Sequence, residues 1–231
     1  MNLIILLSKL FHFATYHSLW FLITSVIVSG LLATLIGKAT RTVGTLAIVP
    51  LVFFLCIANL IAGHWINAFF VKSVGVYGSA IMVDTRDAGF MINDWEASYY
   101  DILITTAEGQ EILTSGTEMS IPLYPLRNSI FMPPLNEKFV VKYVPGDEKN
   151  IVIMVDESNY GKRRLLSEAR QPVDRARRLY EASPGNLDFV QQYRQALETF
   201  ISEQAEIASD DQISRYRVEL ENITQRAGNN G

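Results

Sequence analysis

The sequence predicts a membrane-anchored α+β protein: a two-helix transmembrane hairpin, a small antiparallel β barrel or sandwich, and a C-terminal helical hairpin or small bundle. Three observations carry that reading. Charge is almost absent before residue 72 and dense after it. Two apolar runs near the N-terminus are long enough to cross a bilayer. The spacing of apolar residues then shifts from a strand-like to a helical period along the rest of the chain. The boundaries that follow are 1–17 for an interfacial helix, 18–71 for the transmembrane hairpin, 72–156 for a β-rich domain and 157–231 for a helical tail.

From Met1 to Val71 the only charged side chains are Lys9, Lys38 and Arg41, whereas 17 basic and 24 acidic residues follow. A chain divided in this way is written for two solvents. The net charge of −4 argues against nucleic acid as a partner. Cys56 is the only cysteine, so no intrachain disulfide forms.

The run Ser18–Gly37 carries no charge and, at about 1.5 Å per residue, spans roughly 30 Å as a helix. A second run starts at Thr45, so the predicted helices cover about 18–37 and 45–66. Only Lys38–Gly44 separates them, and the two must run antiparallel. Trp20 and Trp65 then stand at one membrane interface as aromatic anchors, with Lys38 and Arg41 at the other end. The positive-inside rule places the Lys38–Arg41 loop in the cytoplasm and the charged remainder outside. The expected location is a multi-pass protein of the cell inner membrane. Ser25, Ser29, Ala33 and Gly37 form a small-residue stripe. It packs either on the second helix, through Ala58 and Ala62, or on a homo-oligomer or partner. The first sixteen residues lack a basic leader and a small-residue cleavage motif. They read as an interfacial helix.

Between residues 74 and 156 the pattern is of strands: Tyr77–Asp84, Phe90–Ile92, Ser98–Thr106, Glu111–Thr114, Phe139–Val144 and Ile151–Val155. Ala107–Gln110 reads as a hairpin turn and Pro145–Asn150 as a longer one. Lys138-Phe-Val-Val-Lys-Tyr-Val-Pro-Gly-Asp147, with the preceding Thr105-Thr-Ala-Glu-Gly-Gln110 turn, resembles part of a bacterial membrane-anchored family. That family is a β-domain of unknown function closing in V-x-V-x-Y-x-P-x-x-P. The chain departs from the pattern at Phe139 and Glu148. The resemblance covers residues 98–156, implies a small β-domain beside a membrane, and lends no catalytic residues.

From Tyr160 the spacing is helical. Leu187, Val190, Tyr193, Leu197 and Phe200 form one stripe, and Ile213, Tyr216, Leu220 and Ile223 form another. Pro172 should end or kink an earlier helix. Ser183–Asn186 is a break, Ser209 with Gln212 a capping box, and Gly228 a helix stop. Seven basic residues against two acidic ones between Lys162 and Arg178 suit a solvated face, anionic headgroups or an acidic partner.

Histidine occurs only at 12, 17 and 64, beside or within the apolar segment. The β-domain is therefore expected to work without a histidine base, a Ser–His triad or histidine-bound zinc. No Walker A, G-x-S-x-G or G-x-G-x-x-G motif stands in the sequence. Asp84, Asp87, Asp94, Glu96 and Asp101 crowd one stretch and would have to converge on a pocket to support metal-assisted hydrolysis. The expectation is a non-enzymatic envelope protein without cofactor or small-molecule substrate. Its partners would be the lipid bilayer and either another protein or a second copy. An immunity or exclusion factor and a carboxylate-dependent hydrolase stand as alternatives.

Overall fold

The computed structural model describes residues 2–42, 44–92, 95–118, 120–126 and 131–229. It is a mixed α+β chain in two compact units, Met1–Ser158 and Asn159–Gly231. In the first unit three helices precede a sheet: α1 (Leu3–Tyr16), α2 (Ser18–Thr40) and α3 (Ile48–Val74), with a 3₁₀ turn at Gly44–Ala47. Asn2 caps α1 by accepting from the Ile4 N–H. Arg41 closes α2 in the left-handed region at φ 54°. The expected helix ends of 37 and 66 fall short, because the last turns of α3 leave the apolar run and pack on the sheet. Ala68 and Val71 there join Val144, Val152 and Met154 in one buried cluster.

The sheet has six strands, β1 (Val76–Ile92), β2 (Trp95–Thr105), β3 (Glu111–Thr117), β4 (Leu123–Tyr124), β5 (Lys138–Val144) and β6 (Asp147–Met154). Their order is β3-β2-β1-β5-β6-β4. All pairings are antiparallel except the short β4 on β6. The expectation of a barrel or sandwich is corrected: this is one open sheet. It curls enough for the Thr114 hydroxyl of β3 to donate to the Lys149 carbonyl of β6 at 3.3 Å. No β3–β6 ladder closes it among the described residues. Helix α1 bridges those two strands instead, donating from the Tyr16 hydroxyl to the Ser115 carbonyl and from Ser8 Oγ to Asp147.

Two strand expectations also change. Tyr77–Asp84 and Phe90–Ile92 belong to one 17-residue strand. Its polar middle reads as a break because residues 83–87 are exposed, so no apolar alternation marks it. The turn after β5 is only Pro145–Gly146, with Gly146 at φ +92°. Asp147–Asn150 are already strand. The Ala107–Gln110 turn is as expected, closed by the Thr106 N–H donating to the Gln110 carbonyl at 2.9 Å. Phe139, Val141 and Tyr143 alternate inward as their spacing requires.

The second unit is three helices, α4 (Asn159–Ala182), α5 (Leu187–Gln204) and α6 (Asp210–Asn229). They share a core of Val173, Tyr193, Leu197, Phe200, Ile213, Tyr216 and Ile223. Helix α4 runs through Pro172 rather than ending there. Asn186 caps α5. Ser209 Oγ accepts from the Gln212 N–H at 3.3 Å, but Gln212 does not complete a capping box; its Oε1 accepts from Arg170 of α4 at 2.6 Å. Helix α6 passes Gly228 and ends at Asn229. The Arg226 side chain and residues 230–231 lie outside what is described.

Candidate functional site

The most constrained polar group lies where α1, α3 and β6 meet. Asn67 Nδ2 donates to Asn150 Oδ1 at 2.7 Å, and Asn150 Nδ2 donates to Asn67 Oδ1 and to Ser8 Oγ, each at 3.0 Å. Ser8 Oγ donates in turn to Asp147 Oδ2 at 2.7 Å. His12 Nδ1 lies 3.5 Å from Asp147 Oδ1. Ser8, Asn67 and Asn150 are fully buried. Burial of this kind is tolerable because every amide and hydroxyl has a partner. Burial pushes the Asp147 carboxyl up, but the donors His12 and Ser8 outweigh it and hold the group below its ordinary range.

These residues place a histidine on the β-domain after all, which corrects the expectation drawn from sequence position. His12 does so from 135 residues away. Ser8 gives its proton to the Asp147 carboxylate rather than to His12, and a carboxylate held below its ordinary range is a weak base for that hydroxyl. The adjoining cavity, bordered by His12, Tyr16, Lys149 and Asn150, has a volume of about 10 Å³. That is room for a single water at most. The arrangement can lock three segments together.

The α3–sheet joint is rigid for further reasons. Only Gly75 separates α3 from β1. A Cβ there would meet the Val71 carbonyl oxygen at 2.5 Å and the Tyr143 carbonyl oxygen at 2.9 Å. Lys142 Nζ donates to the Lys72 carbonyl at 2.9 Å, satisfying an acceptor at the helix C-terminus.

Around this joint the helices are inside-out. Helix α2 buries Ser29 and Ala33 while Leu31 is 60% exposed. Helix α3 buries Cys56, Gly63 and Asn67 while Phe54 is 68% exposed. Helix α1 buries Ser8 and leaves Leu3, Leu6, Leu10 and Phe13 outward. The stripe Ser25, Ser29, Ala33 and Gly37 is buried or half-buried. Thr45 Oγ1 donates to the Ala33 carbonyl at 3.0 Å, and a Cβ on Gly37 would meet the Thr45 Oγ1 at 2.8 Å. The stripe is thus occupied at its lower end by the chain's own return. Ala58 is exposed, so the inward positions of α3 are Cys56 and Gly63 rather than Ala58. Trp20 and Trp65 are exposed, as are Lys38 and Arg41.

Of the described carboxylates only Asp84 and Asp101 come together, as cross-strand partners around Arg86. Arg86 Nη2 grips Asp101 at 2.7 and 2.9 Å, and its Nε lies 3.8 Å from Asp84. Asp87 accepts from the Gly89 N–H, and Glu96 is exposed. Asp94 lies outside the described residues. No group of three potential metal ligands occurs among the described residues.

In the second unit Arg177 ties the bundle. Its Nε donates to the Tyr193 hydroxyl at 2.8 Å and its Nη2 to Glu219 at 2.7 Å, while Tyr193 also donates to Glu219. Burial, with Glu219 beside it, pushes the Tyr193 hydroxyl up to about 12. The basic run is therefore partly paired, Arg170 with Gln212 and Arg177 with Glu219 between helices and Arg164 with Glu168 along the exposed face of α4. Sequence spacing could not reveal Asn67, Asn150 or Asp147, since their partners lie 83 and 139 residues away. Asn67 gave a weak signal, as a polar residue within an apolar run. Comparison with protein-family models, curated proteins and solved structures finds no match for this chain.

Proposed function

We propose that the chain is a bacterial inner-membrane protein whose α2–α3 hairpin crosses the bilayer and whose sheet and helical unit serve protein–protein contact rather than catalysis. One observation carries the reading: α1, α2 and α3 bury their small and polar residues and turn their large apolar ones outward. Water selects the opposite arrangement, and lipid selects this one. Both long helices meet the length and apolarity that a bilayer requires, and little of either is buried. A buried core helix of a soluble protein would be covered by its own chain. A cleaved leader would take Ser8 from Asp147 and Asn150 and leave buried polar groups unpaired.

Lys38 and Arg41 at the hairpin tip favour a cytoplasmic loop and an extracytoplasmic sheet. The rigid α3–β1 joint suits a protein that holds its sheet at a fixed attitude to the membrane. The test is alkaline extraction of cell membranes combined with a topology reporter fused after Gly231. The chain should stay with the lipid pellet, and the reporter should work only outside the cytoplasm. Release into the aqueous fraction would end the membrane role. A reporter active in the cytoplasm would reverse the orientation. Chemical crosslinking in intact membranes should give one discrete larger species; a strictly monomeric chain would remove the contact role.

A further inference from the structure

Beyond its pairing with β5, which ends at Ile81, strand β1 continues with β2 as a hairpin arm. Strand β3 stops pairing at Tyr99, so in the described end of the arm, 87–92 and 95–98, two strands pair alone. Such a ribbon is marginal by itself, yet its base is braced. Arg86 holds Asp101 with two bonds, Ser115 Oγ donates to the same carboxylate at 2.5 Å, and Asp87 accepts from Gly89 at 2.8 Å. The register slips between Asp87 and Met91. Gly89 sits there at φ +74°, and bulges of this kind re-aim side chains. The result is Phe90 at 45% and Met91 at 63% exposure, successive residues beyond that base.

We infer that this tip is a docking knob, with Phe90 and Met91 seating in an apolar pocket of another protein whose rim carries Lys or Arg. The inference rests on the protein-contact reading above and names its contact element and partner chemistry. Charge identifies the occupant. Residues 83–101 hold Asp84, Asp87, Asp94, Glu96 and Asp101 against Arg86 alone, a net of −4. Two arms of the same chain would therefore repel, and an anionic membrane surface would repel the arm as well. A cationic rim is attracted, and an exposed aromatic beside a methionine supplies apolar contact of the kind found at interface cores. The bulges also spoil this edge for simple strand addition, which leaves the side chains as the recognition element.

The experiment places a photoreactive benzoylphenylalanine at Met91 in the full-length chain in native membranes, with a second at Val218 on α6 for comparison. The expected adduct is to one other protein, at a peptide containing Lys or Arg. It should fall about tenfold with Phe90→Ser and also fall with Glu96→Lys and with added salt, while the melting of each purified variant stays at wild type. An adduct to lipid, an adduct to a second copy of the chain, an adduct indifferent to Phe90 or salt, or no adduct at 91 would each overturn the knob. Adducts at 218 but not 91 would leave the contact reading standing without the knob. Silence at both positions would remove both.

Discussion

Asn67 of α3 and Asn150 of β6 exchange two side-chain hydrogen bonds, 2.7 and 3.0 Å long, with both residues shielded from solvent. A reciprocal amide pair fixes rotation as well as distance. It therefore sets how the helix meets the sheet. Replacing one member leaves the other buried and unpaired, which costs about 1–3 kcal/mol. Asn67→Leu and Asn150→Leu should each lower the melting temperature of the purified chain in detergent. The double variant should recover part of the loss, because no orphaned amide remains. A double variant as unstable as the sum of the singles would show that the two do not act as a pair.

Gly75→Ala places a methyl group against two backbone oxygens, at 2.5 and 2.9 Å, that cannot swing aside. The expected cost is about 1–3 kcal/mol, the scale of an overpacked core. It should appear as faster proteolysis of the sheet. Gly30→Ala, in open space within α2, is the control and should change little.

Asp147 makes the joint acid-sensitive. Its carboxyl is held below the ordinary range, so its contribution is present above the unfolded pKa and fades as pH falls through the folded one. The wild-type chain should lose stability on the acid side of about pH 4. Asp147→Asn should flatten that limb. A variant with an unchanged acid limb would assign the sensitivity elsewhere.

Tyr193 gives the opposite window in the helical unit. Its hydroxyl is pushed up to about 12, so the folded state keeps a proton that the unfolded state loses. Stability should fall as pH rises from about 10 to 12. Tyr193→Phe should make that slope shallower without abolishing it, since Tyr100 is pushed up to about 12 as well; far-ultraviolet circular dichroism during base titration reads the difference.

Much of this was legible beforehand for a local reason. The lipid-length runs, the Ala107–Gln110 turn, the Phe139–Tyr143 alternation and the Ser183–Asn186 break are each encoded by residues within reach of one another. What stayed hidden is long-range. Ser8 and His12 look like blemishes in an apolar helix until Asp147 and Asn150 arrive from 135–142 residues away. The open sheet was hidden likewise, since strand count does not say whether a helix such as α1 will stand where the closing ladder would run. The middle of β1 was missed because an arm exposed on both faces has no inward side to mark.

The claim on which the rest depends is that lipid covers the outward faces of α2 and α3. Nitroxide labels at Leu31 and Phe54, in a Cys56→Ser chain reconstituted in vesicles, read this directly. Both sites should be relaxed strongly by oxygen and weakly by a water-soluble nickel chelate. Strong relaxation by the chelate at both sites would place those faces in water and contradict the account.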